Sequence, residues 1–216
     1  MVVEKLALGI LYIKNVIEDP SSIINDIENL EEKIKKEKYK SKNTHEWFKW
    51  DYDDKKENKT IFCMKKILMS PEQLQHSEKF YKEQYSISKR LFNSLDLCLL
   101  EYFKEYPYAE KNIKSKEEKI HILKYEKSGF LPAHSDHGVS SRILSCIMYL
   151  NDDYVGGSIV FPYAGISIKP EAGSVIFFPS NFIYIHEVEK MESGKRYALA
   201  SWYHNRKIPY YSDGTE

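Results

Sequence analysis

His134-Ser135-Asp136 places an imidazole and a carboxylate two residues apart. On a strand, residues i and i+2 share a face about 7 Å apart at the backbone, so the pair can hold one metal ion. A third ligand must then come from another element. His45, His76 and His121 fall in the N-terminal half or on the preceding strand, alternation turns His137 to the opposite face, and His204 closes the last strand. His186 is the best candidate, because it follows the apolar run Phe182-Ile183-Tyr184-Ile185, which reads as strand. Two histidines and one carboxylate leave coordination positions open. That arrangement suits non-haem Fe(II) and oxygen chemistry better than a closed zinc site. The competing reading of the pair is two exposed turn residues beside Gly138.

Arg196 begins the run Arg196-Tyr197-Ala198-Leu199-Ala200-Ser201-Trp202. Alternation puts Arg196, Ala198, Ala200 and Trp202 on one face, and Tyr197, Leu199, Ser201 and Tyr203 on the other. The two alanines leave space that the guanidinium faces, and a carboxylate ligand there would engage its fork bidentately. The competing reading is an exposed edge-strand arginine. In Ile143–Tyr149, Ile147 and Tyr149 share a face and offer an apolar wall and a hydroxyl, although a buried structural tyrosine is common in a chain with 17 of them.

Short strands must position these groups. Residues 120–208 suggest eight, Lys119–Tyr125, Leu131–Asp136, Arg142–Leu150, Ser158–Phe161, Gly165–Ile168, Ser174–Phe178, Ile183–Val188 and Arg196–His204, separated by turn signals. Such spacing predicts a β-sandwich or jelly roll. The first half is richer in Lys and Glu. Leu6–Val16 reads as strand, and Asp19-Pro20 as a helix start ahead of Ile23, Ile24, Ile27, Leu30 and Ile34 at helical spacing. His45–Tyr52 and Thr60–Leu68 look like strands around a polar turn. Ser70-Pro71-Glu72-Gln73 is a capping box and predicts a second helix starting there, with Leu91, Leu95, Cys98 and Tyr102 as its later apolar stripe and Pro107 as its end. The expected fold is α+β, mainly β, with a jelly-roll core and N-terminal helices packed on one sheet. The expected layout is one catalytic domain over 1–216, with 1–117 as support, 118–208 as core and 209–216 as a flexible tail.

Composition narrows the class. Lys+Arg 32 against Asp+Glu 32 gives a formal net charge of zero, unlike a domain built to neutralise phosphates, so nucleic acid is not an expected partner. The charged run EEKIKKEKYKSK reads as a solvated helix face. Hydrophobic residues at 42% supply a core. No apolar run approaches the roughly 18–20 residues of a membrane span, and the start lacks a signal-peptide cleavage pattern, so no membrane association and a cytoplasmic location are expected. Cys63, Cys98 and Cys146 read as reduced core thiols.

The chain resembles the 2-oxoglutarate, Fe(II)-dependent oxygenases, and within them the prolyl 4-hydroxylase branch. The pieces that carry the likeness are KYEKSGFLPAHSDH, SCIMYLNDDYVGGSIVFP, PEAGSVIFFPSNFIYIHEV and GKRYALASWYH, in one order across roughly residues 118–204. The resemblance implies a double-stranded β-helix with His134, Asp136 and His186 as iron ligands. It implies that Arg196 holds the distal carboxylate of 2-oxoglutarate with Tyr149 hydrogen-bonding it, that Tyr125 lies near the metal-bound end, and that Ile147 and Trp202 line the pocket. Collagen-type members carry Lys where Arg196 stands, so this position is more like the intracellular oxygen-sensing branch. Lys195 points to the other face. The implied cofactors are Fe(II), 2-oxoglutarate and O2, with ascorbate an optional addition. The implied reaction hydroxylates a C–H bond of a proline-containing protein or peptide and releases succinate and CO2. The same chemistry on a small molecule or another protein residue is the alternative, followed by a non-catalytic jelly-roll binding module. Asp51–Lys59 and Gly138–Ser141 are the expected substrate loops.

Overall fold

The computed structural model describes residues 1–37, 48–50, 53–54, 59–60, 63–69, 71–72, 74, 79–116, 119–137 and 142–205. An N-terminal hairpin, β1 (Val2–Ala7) and β2 (Ile10–Lys14), leads into α1 (Pro20–Lys36). Then come short strands β3 (Phe48–Trp50), β4 (Asp53–Asp54) and β5 (Lys59–Thr60), a longer β6 (Cys63–Met69), and helices α2 (Tyr81–Glu105) and α3 (Pro107–Asn112). The remainder is strand: β7 (Ile113–Lys116), β8 (Lys119–Tyr125), β9 (Leu131–His134), β10 (Arg142–Tyr149), β11 (Val155–Gly156), β12 (Ile159–Phe161), β13 (Ile166–Ile168), β14 (Val175–Pro179), β15 (His186–Val188), β16 (Met191–Ser193) and β17 (Arg196–Asn205).

Among the described residues a nine-stranded antiparallel sheet runs β1-β2-β14-β10-β17-β8-β6-β3, with β7 also on β17. A four-stranded sheet runs β13-β12-β15-β9. The chain is thus mostly antiparallel β with few helices, in the manner of a jelly roll. Strand alternation divides the large sheet into two faces. One joins Ile13, Phe177, Leu199 and Tyr203 in a single cluster with Ile23, Ile27 and Leu30 of α1 and Leu91, Leu95 and Cys98 of α2. The other turns Ile147, Tyr149 and Ala198 toward Ile159 and Phe161 of the small sheet, and Tyr125, Ala200 and Trp202 toward Val188. Each aliphatic side chain so buried contributes roughly 1.5–3 kcal/mol. Glu28 on α1 adds a polar tie, accepting from Lys124 Nζ and Tyr197 Oη at 3.0 Å each.

Several local expectations hold. Asp19 caps α1, its Oδ1 accepting from Ser22 N at 3.1 Å with Pro20 at the first helical position. Leu91, Leu95, Cys98 and Tyr102 are buried, and α2 ends before Pro107, which opens α3.

Others are corrected. Leu6–Val16 is not one strand: the chain turns at Leu8-Gly9, where Gly9 takes φ +79°, and two antiparallel strands result. Pro71 and Glu72 lie in a turn rather than a helix. The helix starts at Tyr81 behind Phe80, with no side-chain cap, and Gln84, Ile87 and Ser88 are its first buried residues. A capping signature permits a helix to begin, but helices in proteins are sustained mainly by packing of one face. The strand expected over Ile183–Val188 begins only at His186, and Phe182–Tyr184 forms a 3-10 turn with Phe182 and Ile183 exposed. The expected tail 209–216, Gly138–Ser141 and the polar turn 55–58 lie outside the described residues.

Candidate active site

β9 and β15 are antiparallel neighbours, and their register sets His134 directly opposite His186. The strand ends at His134, so Asp136 is not delivered by alternation as expected. A bend carries its carboxylate back between the imidazoles. Asp136 Oδ1 lies 3.6 Å from His134 Nε2, and Oδ2 lies 3.7 Å from His186 Nε2. One ligand atom from each of the three falls within 4.8 Å of the others, the only such cluster among the described residues. Both imidazoles are oriented from behind: His134 Nδ1 is 2.9 Å from the Pro132 carbonyl and His186 Nδ1 is 3.2 Å from the Tyr184 carbonyl. A carbonyl only accepts, so each Nδ1 bears the hydrogen and each Nε2 faces the cluster. The ring of His186 packs against Phe178 and Phe161, with centroids 4.6 and 5.8 Å away. His137 is exposed, with its Nδ1 against the Arg142 carbonyl, and takes no part.

The electrostatics make these groups unequal. Burial opposes the charge of Asp136 but is outweighed by His134, His186 and the Ser145 hydroxyl, which hold the carboxyl well below the usual range. For His134, burial is outweighed by Asp136 and the pKa rises. For His186 burial prevails, reinforced by His134, and the pKa falls to about 4. Ser145 Oγ also lies 2.8 Å from Ser180 Oγ in a buried hydroxyl pair.

A cavity of about 280 Å³ joins this cluster to Arg196. His134, Asp136, His186, Tyr125, Ile147, Arg196 and Trp202 line it. Arg196 opens β17 opposite Tyr125, while Tyr149 stands opposite Ala198. The guanidinium carbon lies 4.9 Å from the Tyr125 ring centroid and 5.2 Å from that of Tyr149. Burial works against the charge of Arg196, which is 1% exposed, yet Tyr149, Tyr125 and Tyr154 together raise its pKa. The Tyr149 phenol is pushed up by burial, with Arg196 opposing. Arg196 Nε and Nη2, and Tyr149 Oη, have no hydrogen-bond partner among the described residues. Buried guanidinium N–H groups left without acceptors are costly, so this end of the cavity is chemically suited to a carboxylate. The donor set at the other end suits a divalent iron.

Two lining residues, His121 and Arg142, and one tyrosine beside Arg196 escaped the sequence reading. In sequence His121 stands out only as a less favoured metal-ligand candidate, yet its ring meets Trp202 edge-on at 4.8 Å. Arg142 stacks over Trp202 with its guanidinium carbon 3.7 Å from the ring centroid. Its place at the start of an alternating strand was the available signal. Tyr154 reaches Arg196 from a loop, where no periodicity could mark it.

Residues 120–204 match the 2OG-Fe(II) oxygenase superfamily. Prolyl 4-hydroxylase 1 of Arabidopsis thaliana is 27% identical over 157 residues, covering 60% of this chain and 50% of that protein. Human prolyl 3-hydroxylase 2 is 37% identical over 67 residues, covering 29% of this chain and 10% of that protein. The chain therefore spans half or less of the length of these relatives. Among solved structures, a Trichoplax adhaerens prolyl hydroxylase in complex with a hypoxia inducible factor oxygen degradation domain peptide fragment has a TM-score of 0.61 at 18% identity, covering 91% of this chain and 84% of that one. Fold and cluster define a jelly-roll protein with a two-histidine, one-carboxylate centre. Its segment 120–204 matches the 2OG-Fe(II) oxygenase superfamily, and in sequence and fold the chain is similar to prolyl 4-hydroxylases.

Proposed function

We propose that the chain is a 2-oxoglutarate- and Fe(II)-dependent dioxygenase that hydroxylates a peptidyl prolyl residue, releasing succinate and CO2. One observation carries the reading: a single cavity joins the His134, Asp136 and His186 cluster to the buried Arg196 guanidinium with its unsatisfied N–H groups. His134, Asp136 and His186 would hold Fe(II), and Arg196 with Tyr149 would hold the distal carboxylate of 2-oxoglutarate. Tyr125 would stand beside the metal-proximal end, with Ile147 and Trp202 as apolar walls. Bound iron and 2-oxoglutarate supply oxygen activation. The chain supplies orientation and dryness. Pro132 and Tyr184 fix the imidazoles, Phe161 and Phe178 exclude water behind His186, and Ala198 and Ala200 leave room for the cosubstrate. The N-terminal helices, in this reading, brace the large sheet from its outer face and leave its inner face for chemistry.

A prolyl peptide is the substrate we favour because the sequence likeness lies with prolyl hydroxylases and the Trichoplax enzyme was captured with a peptide. The test is turnover on a peptide library with Fe(II), 2-oxoglutarate and ascorbate. The expected result is stoichiometric succinate and a mass gain of one oxygen on proline, both lost in Asp136→Ala. Asp136-dependent succinate release that no prolyl peptide stimulates would move the substrate to another class. No Asp136-dependent succinate at all would reject the oxygenase.

A further inference from the structure

Tyr184 touches two things at once. Its carbonyl faces His186 Nδ1 at 3.2 Å, and its phenol donates to the Leu8 carbonyl at 3.0 Å. Leu8 and Gly9 form the turn of the N-terminal hairpin, remote in sequence from the metal cluster. The turn is fastened from α2 and from the residue that follows this helix as well. Gly9 N donates to Tyr106 Oη at 2.8 Å, and Tyr102 Oη donates to the Gly9 carbonyl at 3.2 Å. Three phenols thus converge on two residues. Gly9 has φ +79°, and a Cβ there would come 2.6 Å from Tyr184 Oη and 3.1 Å from Pro179 Cδ. The turn and the segment before His186 are in direct contact with no room to spare.

We infer that the N-terminal hairpin turn orients His186 through Tyr184, which makes Tyr184 a positioning residue for the metal centre. This rests on the reading that His134, Asp136 and His186 bind metal. Phe182–Tyr184 is a short 3-10 turn capped by Asn181; its first two side chains are exposed, and Tyr184 is the one that ties it to the hairpin. The Nδ1 hydrogen bond sets which nitrogen His186 presents and at what angle, and its acceptor is the backbone of the residue that the hairpin holds. Partners behind a ligand histidine typically govern metal affinity by about 10–100-fold. Tyr184 acts one step further out, so the low end applies.

The test uses the full chain with Mn(II) and Co(II) as probes and no substrate. Tyr184→Phe keeps the ring and the backbone carbonyl and removes only the phenol oxygen. It is expected to weaken Mn(II) binding by roughly tenfold and to shift the Co(II) ligand-field absorption, while the metal-free protein melts close to wild type. Gly9→Ala should weaken Mn(II) binding through displacement of the same phenol. The double variant should fall short of the product of the two effects, because the oxygen that the new Cβ meets is gone. A double variant equal to that product overturns the link through the phenol. Asp136-dependent Mn(II) binding that Tyr184→Phe leaves unchanged, with an unchanged Co(II) spectrum, overturns the inference alone. Wild-type protein that binds Mn(II) no better than Asp136→Ala overturns the metal reading and this inference with it.

Discussion

His134 and His186 are direct cross-strand partners, their ring centroids 4.3 Å apart with the planes at 50°. Side chains opposite one another on antiparallel strands are held at the pair spacing by the sheet itself. Two members of the His134, Asp136 and His186 cluster are therefore fixed by backbone hydrogen bonds, and only the third depends on a bend.

The triad is expected to bind metal as a unit. Asp136→Ala and His186→Ala should each abolish Fe(II) binding and turnover, since each removes one of three donors, while circular dichroism stays near wild type. His137→Ala should bind iron normally, its imidazole being exposed and directed at the Arg142 carbonyl. Iron content after gel filtration separates these outcomes. Normal iron in either of the first two variants would remove that residue from the ligand set.

Arg196 is expected to govern 2-oxoglutarate and not iron. Truncating one side of a buried charge pair costs roughly 2–5 kcal/mol, or about 30- to several-thousand-fold in affinity. Arg196→Met should raise the Michaelis constant for 2-oxoglutarate accordingly. Arg196→Lys should be intermediate, because charge survives and the fork is lost. Tyr149→Phe should be milder, losing one hydrogen bond to a charged group worth about 1.5–3 kcal/mol. Cosubstrate titrations beside bound-iron assays check the order. Wild-type affinity in Arg196→Met would refute the anchor.

Gly157 is a backbone route to the same group. It has φ +65°, and a Cβ there would collide with Met191 Sδ and come 3.2 Å from Arg196 Cδ. Gly157→Ala should cost about 1–3 kcal/mol of stability from the left-handed backbone alone. It should also weaken 2-oxoglutarate binding by displacing the guanidinium, with iron binding unchanged. Denaturant melts paired with cosubstrate titrations distinguish the two. A stability loss with unaltered titration would mean that Arg196 accommodates the methyl.

Cys98 provides a pH signature. Burial pushes its thiol from 9.0 up to about 12. Between those values the native state keeps a proton that the unfolded chain loses, so the contribution is full below pH 9 and disappears as pH rises toward 12. Urea midpoints should therefore fall more steeply above about pH 9 in wild type than in Cys98→Ala. Iodoacetamide should leave Cys98 and Cys146, both fully buried, unlabelled until the chain unfolds. Parallel pH profiles, or labelling of either thiol in native protein, would contradict this.

Local sequence determined what backbone periodicity alone can fix. The alternation in Arg196–Trp202 assigned the guanidinium, the two alanines and the indole to one face before any pairing was known, because successive side chains on a strand point opposite ways. Asp19-Pro20 fixed a helix start because its groups satisfy the backbone within one turn. Both rest on interactions between near neighbours in the chain. Tertiary structure decided whatever depends on distant partners. Ser70-Pro71 could open a helix, yet α2 begins at Tyr81, where a buried face starts to repeat. Asp136 reaches the histidines through a bend that no alternation encodes, and Tyr154 reaches Arg196 from a loop. Arg142 and His121 both contact Trp202, a residue on a third strand. The register of β9 on β15 is set by both sheets closing around their shared core. A one-residue slip would turn His186 away from His134, and only the packed whole excludes that slip.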